Sequence, residues 1–365
     1  MILCANPSAQ FYAHQTEIED AVLAVMRGNT YVLGEQARAL ESEFAAYIGV
    51  PFAVGVANGT DALELAMRAL CIGLGDEVIT VSHTAVATIA AIEAVGAFPV
   101  LVDVDPDFYT LNAFQLEEVF SSKTKAVIAV HLYGQSADLE LIGRFCKTKG
   151  IYLIEDVSQA HGAQWMGSRL GGIGDIACFS CYPTKNLGAI GDAGLITTRD
   201  EKLSDKIRSL REYGWVTRYV SDIPGRNSRL DELQAAILRV KLNYLDEDNK
   251  KRTKIATAYS NGIINNLISL PKQRENSKPV FHLYVVKCAV RNGLIEYLKQ
   301  HNIHVGIHYP MPIHLQPAYI GRVRTAKNMK VTETIAEEVV SLPIYPELSS
   351  EDVQMVVSTI NAYTA

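Results

Sequence analysis

No uninterrupted apolar run in this 365-residue chain is long enough to cross a bilayer as a helix, which takes about 20 residues, so no membrane partner is expected. No basic tail or stripe is present either. Lys and Arg number 34 against 40 Asp and Glu, a formal net charge of −6, which argues against a nucleic-acid or anionic-lipid partner. The start, MILCANPSAQFYAH, has no basic segment leading into an apolar stretch, so no secretory leader is expected. Cysteine is scarce and scattered, at positions 4, 71, 146, 178, 181 and 288, the usage of a reduced, cytoplasmic protein rather than a disulfide framework. Cys178 and Cys181 form a CxxC, but a zinc site wants a second pair and none follows. They read as buried strand cysteines, and no metal is expected.

What is present is a regular alternation. FAVGVA precedes the helix-like TDALELAMRAL, and EVITVS precedes TAVATIAAIEAVG. FPVLVDV, KAVIAVHL and IYLIEDV follow at similar spacing. Continuous Val/Ile runs mark strands covered on both faces, and strand–helix repetition means a mainly parallel α/β sheet. In such sheets ligands bind at the carboxyl ends of strands. From Ser228 the pattern changes: Leu230, Leu233, Ile237, Val240 and Tyr244 predict one long amphipathic helix running into the charged stretch DEDNKKRTK. Beyond it, HLYVVKC reads as a strand, NGLIEYLKQHN as a helix and the last fifteen residues as a closing helix. The expected division is a large domain, 1–245, and a smaller C-terminal α+β domain, 246–365.

The strand ends carry charge. In IYLIEDVSQAHG, Glu155 and Asp156 close an apolar strand, where an ionised carboxylate is costly unless a cation or several donors meet it. A surface or capping carboxylate is the plain alternative. Lys185, in FSCYPTKNLG, follows Asp156 by 29 residues at the end of the next strand-like run. The two could be a simple ion pair, or they could grip opposite ends of one molecule. Pyridoxal 5'-phosphate (PLP) requires that second arrangement, with a lysine for its aldehyde and a carboxylate for its pyridinium nitrogen. Its phosphate would need an anion site. ANGTDALEL offers one at Gly59 and Thr60, where a strand turns into a helix N-terminus, although Thr60 or Asp61 also reads as an N-cap. Ser180 could add a hydroxyl.

At this point the chain resembles the sugar aminotransferases of the DegT/DnrJ/EryC/StrS group, which are fold-type-I PLP enzymes. The matching segments span nearly the whole chain: YVLGEQARALESEFAAYIGV, GVANGTDALELAMRAL, GDEVITVSHTAVATIAAI, DVDPDFYTLN, IEDVSQAHGA, FSCYPTKNLGAIGDAG, GRNSRLDELQAA and HYPMPIHLQPAY. The resemblance implies an aspartate-aminotransferase-like large domain. Lys185 matches the Schiff-base lysine, Asp156 the carboxylate on the pyridine nitrogen and Gln159 the glutamine near the ring hydroxyl. Gly59, Thr60 and Ser180 match the phosphate binders. Asn227 matches an asparagine that reaches the phosphate of the neighbouring subunit's cofactor, which implies a homodimer with shared active sites. Many members stack an aromatic residue on the ring at the position of Ala85. Here another group must cover it, and His83 is expected to, with Val86 second. Ser158 stands where alanine is commoner.

The resemblance further implies transfer of an amino group from glutamate to a keto group on a nucleotide-linked hexose. SHTAVAT resembles members that aminate C-3, so a dTDP-linked 3-keto-6-deoxyhexose is expected, with C-4 amination as the alternative. His308, Tyr309 and His314 are expected to line the sugar or diphosphate site, and Tyr31 and Arg229 to contact the diphosphate. His161 reads as a hydrogen-bonding partner rather than a catalyst. Dehydratase relatives carry histidine in place of the lysine, which Lys185 disfavours. A regulatory module that only holds the cofactor would be expected to add a basic DNA-binding domain.

Overall fold

The computed structural model describes residues 1–364. Helix α1 (Glu35–Ile48) leads into strand β1 (Phe52–Val56), and helix α2 (Gly59–Ala69) follows at once. Then come β2 (Glu77–Val81), α3 (Val86–Ala94), β3 (Phe98–Val102), β4 (Thr124–Val130), α4 (Leu139–Lys149) and β5 (Tyr152–Asp156). β6 (Ile176–Ser180) and β7 (Gly194–Thr198) complete the strand-rich part. In β2, β3 and β5 every residue after the first is buried. That explains why their sequences do not alternate, since helices cover both faces.

After α5 (Glu232–Leu242) and α6 (Leu245–Gly262) come β8 (Tyr284–Lys287), α7 (Arg291–Gln300), β9 (Arg324–Thr325), β10 (Val339–Leu342) and α8 (Ser350–Ala362). The main sheet has eight strands in the order β1-β7-β6-β5-β4-β2-β3-β9. Strand β7 runs antiparallel to both its neighbours, and the other pairs are parallel. β8 and β10 pair antiparallel apart from this sheet, over a second apolar cluster that includes Tyr259, Tyr284, Leu294 and Ile360. Residues after 245 also join the large core, among them Val285, Ile313 and Val339.

One expectation fails here. The long helix from Ser228 is two helices, and Leu230 precedes the first. Asn243 N–H donates to Val240 O and Tyr244 N–H to Lys241 O, at 3.2 and 3.1 Å, so the helix tightens to three-residue bonds and turns. The acidic run Asp246, Glu247 and Asp248 then fills the first turn of α6, where the helix dipole favours negative charge. Within DEDNKKRTK, Asp248, Asn249 and Arg252 are buried.

Candidate active site

Adjacent carboxylates at the end of β5 point to opposite faces, because side chains alternate along a strand. Glu155 is consumed by structure. Its carboxylate accepts from Gly171 N–H (2.9 Å), Ile173 N–H (2.9 Å), Gly174 N–H (2.7 Å) and His131 Nε2–H (3.2 Å). Burial alone would raise its pKa, but His131 and the backbone donors outweigh that and lower it. Asp156, 5% exposed, faces a cavity of about 620 Å³, a size ordinary for small-molecule sites. Its Oδ2 accepts from Thr88 Oγ1–H at 3.1 Å and its Oδ1 from Ser158 N–H at 3.2 Å.

Strand β6 lies beside β5, with Asp156 opposite Cys178. The chain leaves β6 at Ser180 and carries Lys185 onto the wall of the same cavity. Burial lowers the Lys185 amine to about 8, while the charge of Asp156 pulls the other way without a hydrogen bond. A second lysine, Lys241, gives a useful contrast. Lys241 is also lowered to about 8, again by burial, but its Nζ donates to Gln10 Oε1 and Gly188 O at 3.0 and 2.8 Å and is absent from this cavity's wall. Of these two lysines, Lys185 is the one that combines a lowered pKa with access to the space beside Asp156.

The N-terminus of α2 forms a further part of the wall. Asn58 caps it by accepting from Asp61 N–H at 2.8 Å, which leaves the Gly59 and Thr60 N–H groups without intrahelical acceptors. A Cβ on Gly59 would lie 2.5 Å from Ser180 Cβ. Glycine therefore lets the helix end press against Ser180, and Asn58, Gly59, Thr60 and Ser180 all line the cavity. Gln159, His308 and Tyr309 line it as well. Gln159 Oε1 accepts from Tyr133 N–H (2.8 Å), and its Nε2 donates to Tyr309 Oη (3.0 Å).

Six expected residues do not line this cavity within one chain. His83 is 1% exposed, with Nε2 and Tyr133 Oη 2.6 Å apart. It sits behind the wall, and Thr84, Ala85 and Ala87 line it instead, without Val86. Tyr31 is exposed, its hydroxyl near Met26 O and Gly28 O. Asn227 is exposed and Arg229 half-buried on a neighbouring loop. His314 is held at Nδ1 by Ser82 Oγ and at Nε2 by Glu333, at 2.7 and 3.2 Å. Sequence reasoning missed Thr88, Tyr133 and His282. Only Thr88 had a signal, a hydroxyl on the first turn of the helix after β2.

The family profile described as "DegT/DnrJ/EryC1/StrS aminotransferase family" matches residues 13–361. The chain belongs to this family. It is 47% identical over 350 residues to the dTDP-3-amino-3,6-dideoxy-alpha-D-galactopyranose transaminase of Aneurinibacillus thermoaerophilus, covering 96% of each chain. It is 40% identical to the dTDP-3-amino-3,4,6-trideoxy-alpha-D-glucose transaminase of Streptomyces venezuelae, covering 96% of this chain and 92% of that one. The crystal structure of S. venezuelae DesV in complex with a ketimine intermediate superposes with a TM-score of 0.97 at 38% identity, covering 100% of this chain and 99% of that one. The protein is thus a PLP-dependent sugar aminotransferase with the expected fold-type-I architecture. The residues fit that cofactor: a free amine, a carboxylate held by two donors, and a helix end kept bare by Gly59 converge on one cavity.

Proposed function

We propose that the protein moves an amino group from L-glutamate to the C-3 keto group of a dTDP-linked 3-keto-6-deoxyhexose, as a cytoplasmic homodimer with shared active sites. The observation that carries the chemistry is the pair Lys185 and Asp156 on one cavity wall. The position of amination is supported by the two relatives whose names put the amine at C-3 of dTDP sugars. Exposed Asn227 suits a residue that completes a partner's site. Tyr31, Arg229 and His314 are proposed for the nucleotide diphosphate and sugar. The division at 245/246 belongs to the same reading: the separate cluster around Tyr259 and Tyr284 supports it, while β9 returns to the large sheet.

When bound, PLP supplies an electron sink for the charge left on a deprotonated amine-bearing carbon. Asp156 would hold its ring nitrogen, with the carboxylate aimed by Thr88 and Ser158. Gly59 N–H, Thr60 N–H and Ser180 Oγ would hold the phosphate. Gln159 spends one Nε2 hydrogen on Tyr309 and keeps the other for the ring hydroxyl. Lys185 would hold the aldehyde carbon and, when released, would take a proton at Nζ from the amine-bearing carbon and give it back two atoms along, as base and then acid. A pKa of about 8 leaves part of that amine neutral near pH 7, as a base must be. His308 and Tyr309 would face the sugar.

The test is a substrate panel. dTDP-linked 3-keto and 4-keto 6-deoxyhexoses are each supplied with glutamate, and the products are identified by mass and NMR. Amination of the 3-keto sugars is expected, and turnover of the 4-keto compounds alone would overturn the C-3 assignment. Bleaching of the yellow holoenzyme by glutamate separates transamination from mere cofactor holding.

A further inference from the structure

A buried network behind Lys185 has no part in the chemistry above. Asn186, next to Lys185, is 3% exposed. Its Nδ2 donates to Val280 O at 3.1 Å and to Asn249 Oδ1 at 2.7 Å. Asn249 Nδ2 in turn donates to His161 O at 2.9 Å. The two carbonyl oxygens can only accept, so they fix the orientation of both amides. Asn186 Oδ1 is then left facing His282 Nδ1 at 3.1 Å. An oxygen with no hydrogen requires a proton on that nitrogen.

Burial lowers the His282 pKa well below its usual value, and the charges of Lys185 and Arg252 lower it further, along with His308 and His161. The ring is therefore neutral, with its proton on Nδ1 and a lone pair on Nε2. His282 lines the Lys185 cavity. It differs from His161, whose two ring nitrogens are sealed and unpartnered. We infer that Asn186 locks His282 as the Nδ1–H tautomer, which leaves a lone pair on Nε2 to accept a hydrogen bond from the Lys185 amine on the same cavity wall when that amine is released from the cofactor. His282 is thus a positioning residue: by taking one N–H of the released amine it aims the nitrogen lone pair. Asn186 acts through it. The network joins four separate stretches of chain: the loop after β5, the loop after β6, helix α6 and the segment before β8.

The role of His282 rests on the proposed function, but its tautomer does not. Nitrogen-15 NMR of histidine-labelled holoenzyme, with His282→Gln assigning the resonance, should show Nδ1 protonated and Nε2 bare. A protonated Nε2, or a charged ring, overturns the inference. In His282→Phe, kcat should fall about a hundredfold, the scale of a misaligned reacting group. KM for the sugar should hold, and the pH at which the bound cofactor's visible band changes should move. Asn186→Leu should scramble the tautomer and shift the same band, and the double variant should add nothing. His282→Gln, which keeps an acceptor, should recover part of kcat. Should the apolar variants fail to fold, the nitrogen-15 spectrum of the wild-type holoenzyme still decides the tautomer. Wild-type kcat and band position in folded His282→Phe would sink the positioning role, whereas a protein that never takes up PLP would sink the functional reading instead.

Discussion

Replacing Lys185 by methionine in the cofactor-free protein should make it more stable at pH 7 and remove a pH dependence. Burial lowers this amine from 10.5 to about 8. Between those values the unfolded chain holds a proton that the folded chain has shed, so stability rises with pH through this window. A difference of about 2.5 pH units, at about 1.4 kcal/mol each, makes the buried ammonium cost about 3 kcal/mol at pH 7. Lys185 borders the cavity, so solvent there makes this an upper figure. Methionine keeps the length of the stem and drops the charge. Lys185→Met should therefore exceed the wild type by up to about 3 kcal/mol at pH 7, with the gap closing towards pH 10.5. Lys241 and the tyrosines titrate in both proteins and cancel in the comparison. Urea denaturation of the two apoproteins, followed by circular dichroism from pH 6.5 to 10.5, reads the gap directly. No gain at pH 7, or a gap that does not change with pH, would refute the reasoning.

Three further outcomes follow from the site. Gly59→Ala puts a methyl 2.5 Å from Ser180 Cβ and 3.0 Å from its Cα. Overpacking of about 1–3 kcal/mol should weaken PLP binding about tenfold, read by absorbance titration of the apoprotein, with little loss of kcat at saturating cofactor. Glu155→Gln turns an amide NH₂ towards two of the four donors that now meet a carboxylate, since Oε1 takes Ile173 and Gly174 and Oε2 takes Gly171 and His131. It should cost about 3–5 kcal/mol, the scale for breaking a buried charged cluster, and lower Tm, while folded protein still binds PLP. Asp156→Ala should retain bound cofactor but lose at least about a hundredfold in kcat, the scale for removing a preorganised charge. Near-full turnover would exclude the role given to Asp156.

The buried strands of the main sheet and the Lys185–Asp156 pair were legible because both follow from local pattern, whereas the order of the strands in the sheet was not. Buried parallel strands read as unbroken Val/Ile runs, and β5 and β6 being neighbours brings residues 29 positions apart to one cavity. Gly59 and Ser180 were legible for the same reason, since each sits where a strand ends. The break at Asn243 was not, because the apolar spacing continues through it and only the acidic triplet afterwards marks a new start. Nor was the fate of Glu155, which depends on loop 171–174 folding back over it. His282 carries no local mark: its tautomer depends on Asn186 and Asn249, which are distant in sequence. His83 looked available beside Ala85 because nothing near it in sequence announces that Tyr133, fifty positions on, holds its ring.

The central claim is that one particular amine, of two lysines with similarly lowered pKa values, holds the cofactor. Borohydride reduction of the yellow holoenzyme, followed by digestion and peptide mass analysis, tests it. A single pyridoxyl adduct on the peptide carrying Lys185 is predicted. An adduct on Lys241, or none on Lys185 in protein that has taken up the cofactor, would contradict it.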